Sequence, residues 1–147
     1  MKRALVLLPA VALTVAGTLL LADSAKPAAV NPAEPSARVE RGRHLVQDVA
    51  LCADCHTPRL PTGEFDRARW LQGAAIGFKP TVEMPWSLAA PPLAGLTNYT
   101  DDQVRRVLTT GTRPDGSAPL PPMPGFRLTA DEADAVIAYL RALPAAK

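Results

Sequence analysis

The stretch Cys52-Ala53-Asp54-Cys55-His56 decides how the rest of the chain is interpreted. In a helical turn, positions i, i+3 and i+4 lie on one face. Two thiols and one imidazole would then project side by side from a single turn of backbone. The pattern therefore predicts a site at which two cysteines and a histidine act together.

Other uses of a Cys-x-x-Cys pair agree less well with the sequence. A redox dithiol usually opens a helix within a βαβ pattern, and no strand-like alternation surrounds Cys52. Structural zinc needs four protein ligands, but the chain has two cysteines, and His44 is its only histidine besides His56. A disulfide between residues three apart in a helix has poor geometry. Cys-x-x-Cys-His is instead typical of c-type haem attachment, with thioethers from Cys52 and Cys55 and iron ligation by His56.

The N-terminus has the pattern of an export signal. Lys2 and Arg3 precede an apolar run over residues 4–22, which predicts a signal peptide or membrane anchor over residues 1–24. As a helix, this run would span about 28 Å, close to the thickness of a bilayer core. Both alternatives predict a periplasmic protein, because the two cations favour a cytoplasmic N-terminus. It would be soluble, or held at the cytoplasmic membrane by residues 4–22.

Composition predicts a linker and one small domain after the leader. Residues 25–37 are rich in proline and alanine and are expected to be a disordered linker, which leaves residues 38–147 for the domain. Without residues 1–24 the chain has 14 basic and 13 acidic residues, because Lys2, Arg3 and Asp23 are removed. A net charge of +1 does not favour nucleic-acid binding. The few lysines outside the leader predict no lysine ring around a docking face.

Hydrophobic spacing predicts a helical domain with long loops. The first helix is expected over about 36–49, with Ser36 as N-cap and Gly42 where another helix approaches closely. Thr100 and Thr129 each begin a capping box, which predicts a middle helix ending at Gly111 and a last helix ending before Pro144.

The remaining segments predict little regular structure. A short helix is expected over about 67–71, and residues 73–99 have no period that would indicate a helix or strand. The stretch LPPMPGF, residues 120–126, has prolines on both sides of Met123, which predict an extended, rigid segment suited to an axial ligand. We therefore expect an all-α fold.

These segments, taken together, resemble class I c-type cytochromes, most closely the single-haem bacterial proteins and subunits that serve periplasmic dehydrogenases and respiratory chains. The matching stretches are RGRHLV (41–46), CADCHTPR (52–59), TDDQVRRVLTTG (100–111), PPMPGF (121–126) and LTADEADAVIAYLRALP (128–144). The resemblance implies a small cytochrome c fold, with three main helices, a short one and long loops around one covalently attached haem c. It assigns attachment to Cys52 and Cys55, proximal ligation to His56 and distal ligation to Met123. It also implies that the first and last helices pack at Gly42 and Tyr139.

Several assignments around the iron stay open. Met84 also lies in a proline-containing loop and competes with Met123, and His44 is a third candidate ligand. Trp70 is expected to pack against the haem edge, to reach a haem propionate with its indole N–H, or to take part in ordinary loop packing. Some family members have a proline about a dozen residues after the histidine, whose carbonyl orients the imidazole, but position 68 is Ala and that partner is not identified.

The resemblance implies one-electron transfer rather than catalysis. His/Met ligation fills both axial positions, so we expect an electron carrier between a dehydrogenase and a respiratory acceptor, with redox proteins as partners. One alternative is a fixed cytochrome subunit of a membrane dehydrogenase complex. Another is a haem enzyme or gas sensor in which Met123 leaves the iron and His44 acts as a base.

Overall fold

The computed structural model of the chain describes residues 34–145. The predicted leader, residues 1–24, and the linker up to residue 33 lie outside the described residues. Regular structure begins at Pro35, a few residues before the predicted domain boundary at 38. Within 34–145, no helix is both long and apolar enough to cross a bilayer.

The described chain is mostly helical, as predicted. Its helices are α1 (Pro35–His44), α2 (Cys52–His56), α3 (Asp101–Thr110) and α4 (Ala130–Ala142). A π-helical turn, Leu45–Val49, continues α1, and 3-10 turns occupy Arg67–Arg69 and Ala94–Leu96. Two short strands were not predicted: β1 (Ala74–Ala75) and β2 (Ala89–Ala90) pair antiparallel, with Ala74 opposite Ala90.

The helix ends follow their local sequences. Thr100 and Gln103 form the predicted reciprocal capping box of α3, and Thr129 and Glu132 form that of α4. In each, the threonine hydroxyl accepts from the third backbone N–H and the longer side chain accepts from the threonine N–H. The first helix lies where it was predicted, but its predicted N-cap was wrong, because Ser36 lies inside α1. Pro35 begins it instead, a position where a missing N–H costs nothing.

The core forms where α1 crosses α4, as predicted. A Cβ at Gly42 would lie 2.6 Å from the Ala135 carbonyl carbon and 2.8 Å from the Tyr139 Cβ, so only glycine allows this approach. Buried side chains from α4, the π-helical turn, α2 and the loops surround the crossing; the largest fully buried ones are Leu71, Leu96, Val46 and Thr57.

The long loop folds into an arm, which we define as residues 74–90. Beyond the paired strands, Ile76 N–H donates to the Leu88 carbonyl (2.9 Å). Phe78 and Trp86 face each other edge-on across the arm with centroids 5.6 Å apart, and the Trp86 indole donates to the Phe78 carbonyl (3.2 Å). A hairpin without alternating apolar residues gives no period-2 signal. The sequence therefore predicted only a loop.

The segment around Met123 is a turn rather than extended backbone. Met123 N–H donates to the Leu120 carbonyl at 3.3 Å, and the Pro121–Pro122 peptide is cis. We call residues 120–123 the Met123 turn. Prolines excluded a helix here, as predicted, but they did not keep the segment extended.

Candidate functional site

Helix α2 presents the predicted pair of cysteines. Leu51, in the left-handed region at φ 52°, separates the π-helical turn from α2, and its carbonyl accepts from Asp54 N–H at 3.1 Å. Cys52 and Cys55 are both half-buried and are not joined by a disulfide. The helical turn therefore places both thiols and His56 on one face, as their spacing predicted.

The imidazole of His56 is held by the loop that follows the arm. His56 is 6% exposed, and its Nδ1 lies 2.7 Å from the Pro91 carbonyl oxygen. A carbonyl can only accept, so Nδ1 carries the proton and Nε2 keeps the lone pair that binds a metal. Such a second partner fixes the ring orientation and tautomer of a ligating histidine.

Pro91 is the partner that the sequence left unidentified. The expected position, 68, is Ala, and the proline that supplies the carbonyl comes 35 residues after His56. The arm accounts for the long separation because its two ends meet at the histidine. Gly73 N–H donates to the His56 carbonyl at 2.8 Å, just before the arm, and Pro91 follows it directly. Spacing alone could not reveal a partner beyond an unpredicted hairpin.

A buried hydroxyl supports the same loop. Thr57, 1% exposed, accepts a hydrogen bond from Leu71 N–H at 3.0 Å. The Leu71 carbonyl in turn accepts from Leu93 N–H (2.8 Å) and Ala94 N–H (3.0 Å). These bonds fix the backbone just after Pro91. Thr57, the residue after His56, therefore helps to position the Pro91 carbonyl that orients the imidazole. Sequence analysis assigned Thr57 no role.

Burial at the site favours the neutral form of the His56 imidazole. Burial lowers the pKa of His56, and the hydrogen bond to Pro91 opposes that effect only in part. Burial raises the pKa of the Cys52 thiol to about 11. A redox-active dithiol depends on a lowered cysteine pKa, so the raised value speaks against that alternative. Among residues 34–145, no three or more Cys, His, Asp or Glu side chains form a group that could hold a metal ion.

The other candidate iron ligands lie in different settings. His44 is exposed, and its Nδ1 is 3.0 Å from the Asp48 carboxylate, as expected for a solvated helix face. Met84 is 42% exposed near the tip of the arm. Met123 is half-buried, and its turn is joined to the arm because Ser87 N–H donates to the Pro121 carbonyl at 2.8 Å. The described hydrogen bonds thus connect the Met123 turn with the arm whose ends hold His56.

Trp70 belongs to the packing of the last helix. Its indole N–H donates to the Tyr139 hydroxyl at 3.1 Å, and Gln47 donates to the same oxygen at 2.7 Å. Phe65 packs edge-on against Trp70 with centroids 5.7 Å apart. Of the predicted roles, ordinary loop packing is the one these contacts support, because the indole N–H donates to Tyr139.

The donor set fits a haem attached through both thiols. α2 offers two free thiols and an imidazole whose Nε2 is available, and the Met123 turn offers a thioether. Apolar side chains stand exposed beside both segments: Leu51 is 52% exposed and Leu120 is 46% exposed. Exposed apolar side chains next to ligating groups suit a large, mostly apolar macrocycle.

Comparison with known proteins agrees with this geometry. The sequence model of the family described as Cytochrome c matches residues 39–144. The fructose dehydrogenase cytochrome subunit of Gluconobacter japonicus is 30% identical over 110 residues, which cover 71% of this chain and 22% of that protein. A diheme cytochrome c-type protein of Cereibacter sphaeroides is 31% identical over 111 residues, 72% of this chain and 36% of the relative. The chain thus spans about a fifth to a third of the length of these curated relatives.

Proposed function

Because the chain belongs to the cytochrome c family, we propose that it carries single electrons on one haem c between a dehydrogenase and a respiratory acceptor. Covalently bound haem and electron transfer follow from the family. The number of haems, the ligands and the partners are the proposal. The observation that carries it is the His56 imidazole, fixed by Pro91 with Nε2 left free, on the same helical turn as two unpaired thiols.

Four residues of the chain would hold the cofactor, in two different ways. Cys52 and Cys55 would anchor it by thioethers, while His56 and Met123 would supply the axial ligands. When bound, the haem iron supplies the one-electron redox change. His56 needs no proton transfer to ligate, because its burial already favours the neutral ring and Pro91 fixes the tautomer. Buried side chains around α2, such as Ala53 and Val46, would limit access of water from the protein side.

Ligation of the iron by both His56 and Met123 would favour a carrier over an enzyme. His/Met ligation leaves no open position for substrate and raises the reduction potential. In the gas-sensor alternative, His44 would act as a base near the iron. The structure instead places His44 on an exposed helix face beside Asp48, which weakens that alternative.

We further propose that the protein works in the periplasm, soluble or tethered by residues 4–22. The support is the charged and apolar leader in the sequence. A fixed subunit of a dehydrogenase complex is the second candidate. It is favoured by the similarity to a protein named as a dehydrogenase cytochrome subunit, although the chain covers only 22% of that relative.

The axial ligand is tested by the weak near-infrared charge-transfer band between methionine sulfur and ferric iron. The oxidised protein is expected to show the band, Met123→Ala to lose it and the matched control Met84→Ala to keep it. The reverse pattern would make Met84 the ligand. Rapid carbon monoxide binding by the ferrous wild-type protein would contradict the closed carrier.

Purification from solubilised membranes separates the carrier from the fixed subunit. A freely diffusing carrier should separate from any flavin- or quinone-linked dehydrogenase in mild detergent at moderate salt. Stable co-elution in constant stoichiometry would instead support the subunit. Loss of membrane association on deletion of residues 1–24 would identify the leader as the anchor.

A further inference from the structure

Three exposed arginines near the end of α3 lie without carboxylate partners in the described chain. Six other arginines form ion pairs: Arg41, Arg43, Arg59, Arg69, Arg105 and Arg141. Arg106, Arg113 and Arg127 instead donate to neutral oxygens. Arg38 and Arg67 also have no carboxylate partner within residues 34–145, but they lie apart from this end of α3, in α1 and in the 3-10 turn Arg67–Arg69. The distinct feature is therefore the grouping of three such arginines near the end of α3.

Local structure places the three residues at the same end of α3. Arg106, in the last turns of α3, donates to the Arg113 carbonyl at 3.0 Å. The Arg127 guanidinium lies over Gly111, where a Cβ would come within 3.1 Å of its Cζ. Gly111 has φ 71°, so glycine both ends the helix and makes room for Arg127. We call these three residues the arginine patch.

The local charge of the arginine patch is positive. Asp115 is the acidic residue in the same turn, and its carboxylate is held by Ser117, whose N–H and hydroxyl donate at 2.9 and 2.7 Å. That hydrogen bonding, with a smaller contribution from Arg113, lowers the pKa of Asp115. Three cations and one anion leave a net of +2. The acidic residues of α3 lie at its opposite end, Asp101 and Asp102.

The arginine patch borders the Met123 turn. Arg113 reaches the Ala118 carbonyl, two residues before the turn begins, and Arg127 follows four residues after Met123. Leu120, 46% exposed, lies on the turn between them. An apolar centre with a charged rim is the usual composition of a protein interface.

We propose that the arginine patch is the docking surface for an acidic face of a redox protein partner, presented by Asp and Glu side chains. This inference rests on the proposed electron-carrier function and names the charge of the partner. Guanidinium groups form bidentate hydrogen bonds with carboxylates. Opposite charges also steer the encounter, so the docking surface raises the association rate more than the final affinity.

A purely structural role is the competing explanation. Cations near a helix C-terminus are stabilised by the helix dipole, and Arg106 and Arg127 would then contribute only to folding. The test must therefore measure association and its dependence on salt, and compare variants of equal net charge.

The first experiment measures oxidation of the reduced, haem-loaded protein by ferricyanide, a trivalent anion that takes one electron and becomes ferrocyanide. At about 10 mM ionic strength, where charges act over about 30 Å, Arg106→Gln/Arg127→Gln is expected to slow the reaction about fivefold to tenfold. The matched control Arg38→Gln/Arg67→Gln removes two charges elsewhere and should slow it less than about twofold. Oxidation by the cationic tris(phenanthroline)cobalt(III) should not be slowed by the patch variant. Equal slowing of ferricyanide by both pairs would overturn the proposal.

The second experiment tests docking without electron transfer. In the ¹⁵N-labelled reduced protein, poly-L-glutamate is expected to shift amide signals between residues 104 and 128. The patch variant should lose these shifts and the control should keep them. Shifts spread evenly over the surface, or centred on α1, would overturn the proposal. So would preferential binding to vesicles of an anionic phospholipid that the patch variant abolishes, because the partner would then be a membrane.

The two experiments keep this proposal separate from the proposed function. A wild-type protein that exchanges electrons with neither reagent contradicts the electron carrier, whereas the poly-L-glutamate titration still decides the docking surface. A protein that reacts with both reagents, with rates that do not depend on the arginine patch, is a carrier that docks elsewhere.

Discussion

Replacement of Gly42 by alanine tests the packing on which the whole fold depends. The new Cβ would lie 2.6 Å from the Ala135 carbonyl carbon, and ordinary contact begins near 3.4 Å. The helices would therefore have to separate by at least about 0.8 Å, the difference between these distances. Because the obstacle is backbone, rotation of a side chain cannot relieve it.

The change in the free energy of unfolding expected for Gly42→Ala combines two opposing effects. Alanine gains about 1 kcal/mol over glycine inside a helix, whereas overpacking a core typically costs about 1–3 kcal/mol and occasionally more. The α1–α4 crossing contributes much of the core, and its separation would also loosen the contacts around Tyr139. An overpacking cost near the upper end of that range, about 3 kcal/mol, less the helix gain of about 1 kcal/mol, should lower the free energy of unfolding of Gly42→Ala by about 2 kcal/mol net.

Guanidinium chloride denaturation of the haem-loaded protein, followed by tryptophan fluorescence, measures this change. Gly77→Ala is the matched control, because a Cβ there meets nothing within 4 Å and Gly77 does not need a positive φ. Its free energy of unfolding should stay the same or rise by about 0.4–1 kcal/mol, through reduced entropy of the unfolded chain. If Gly42→Ala is as stable as Gly77→Ala, the close approach of α1 and α4 is refuted.

Three further substitutions test the supports of the site. Thr57→Val should leave the Leu71 N–H unpaired and lower the free energy of unfolding by about 1–3 kcal/mol. It should also shift the NMR signal of the His56 Nδ1 proton, whereas Thr57→Ser should leave that signal in place. An unchanged signal in both variants would show that Thr57 does not position Pro91. Tyr139→Phe removes the oxygen that accepts from Gln47 and Trp70 and should lower the free energy of unfolding, measured by chemical denaturation, by about 1 kcal/mol. If the hydrogen bond between Trp70 and Tyr139 accounts for the loss in each single variant, Trp70→Phe/Tyr139→Phe should lose no more stability than the single variants. Arg141→Gln should lose hydrogen bonds to three loop carbonyls and to Asp101, lowering the thermal midpoint, whereas Arg43→Gln, whose partner is a neighbour on its own helix, should hardly change it.

The sequence predicted the parts of the fold that depend on local chemistry. Thr100 and Thr129 start helices because a capping hydroxyl and a partner three residues later suffice to satisfy the first N–H groups. Gly42 was predicted at a helix crossing because a mid-helix glycine is unfavourable unless packing requires it. In each case the signal and its cause lie within a few residues.

Features that depend on distant pairing were missed. The arm is held by two pairs of alanines and an aromatic contact, none of which alternates as a half-buried strand does. Since the arm was not predicted, Pro91 was not recognised as the partner of His56. Thr57 was missed for the same reason, because its hydroxyl binds a backbone N–H fourteen residues away. The covalently bound haem that the family implies could thus be predicted from five residues, but the hydrogen bonds that hold His56 could not.

The central claim is that Cys52 and Cys55 hold one haem covalently, and intact-protein mass spectrometry under denaturing conditions tests it most directly. The wild-type protein should be heavier than its polypeptide by the mass of one haem, and Cys52→Ala/Cys55→Ala should lose that increment completely. No added mass on the wild-type protein, an increment of two haems, or an increment that survives the double substitution would contradict the account.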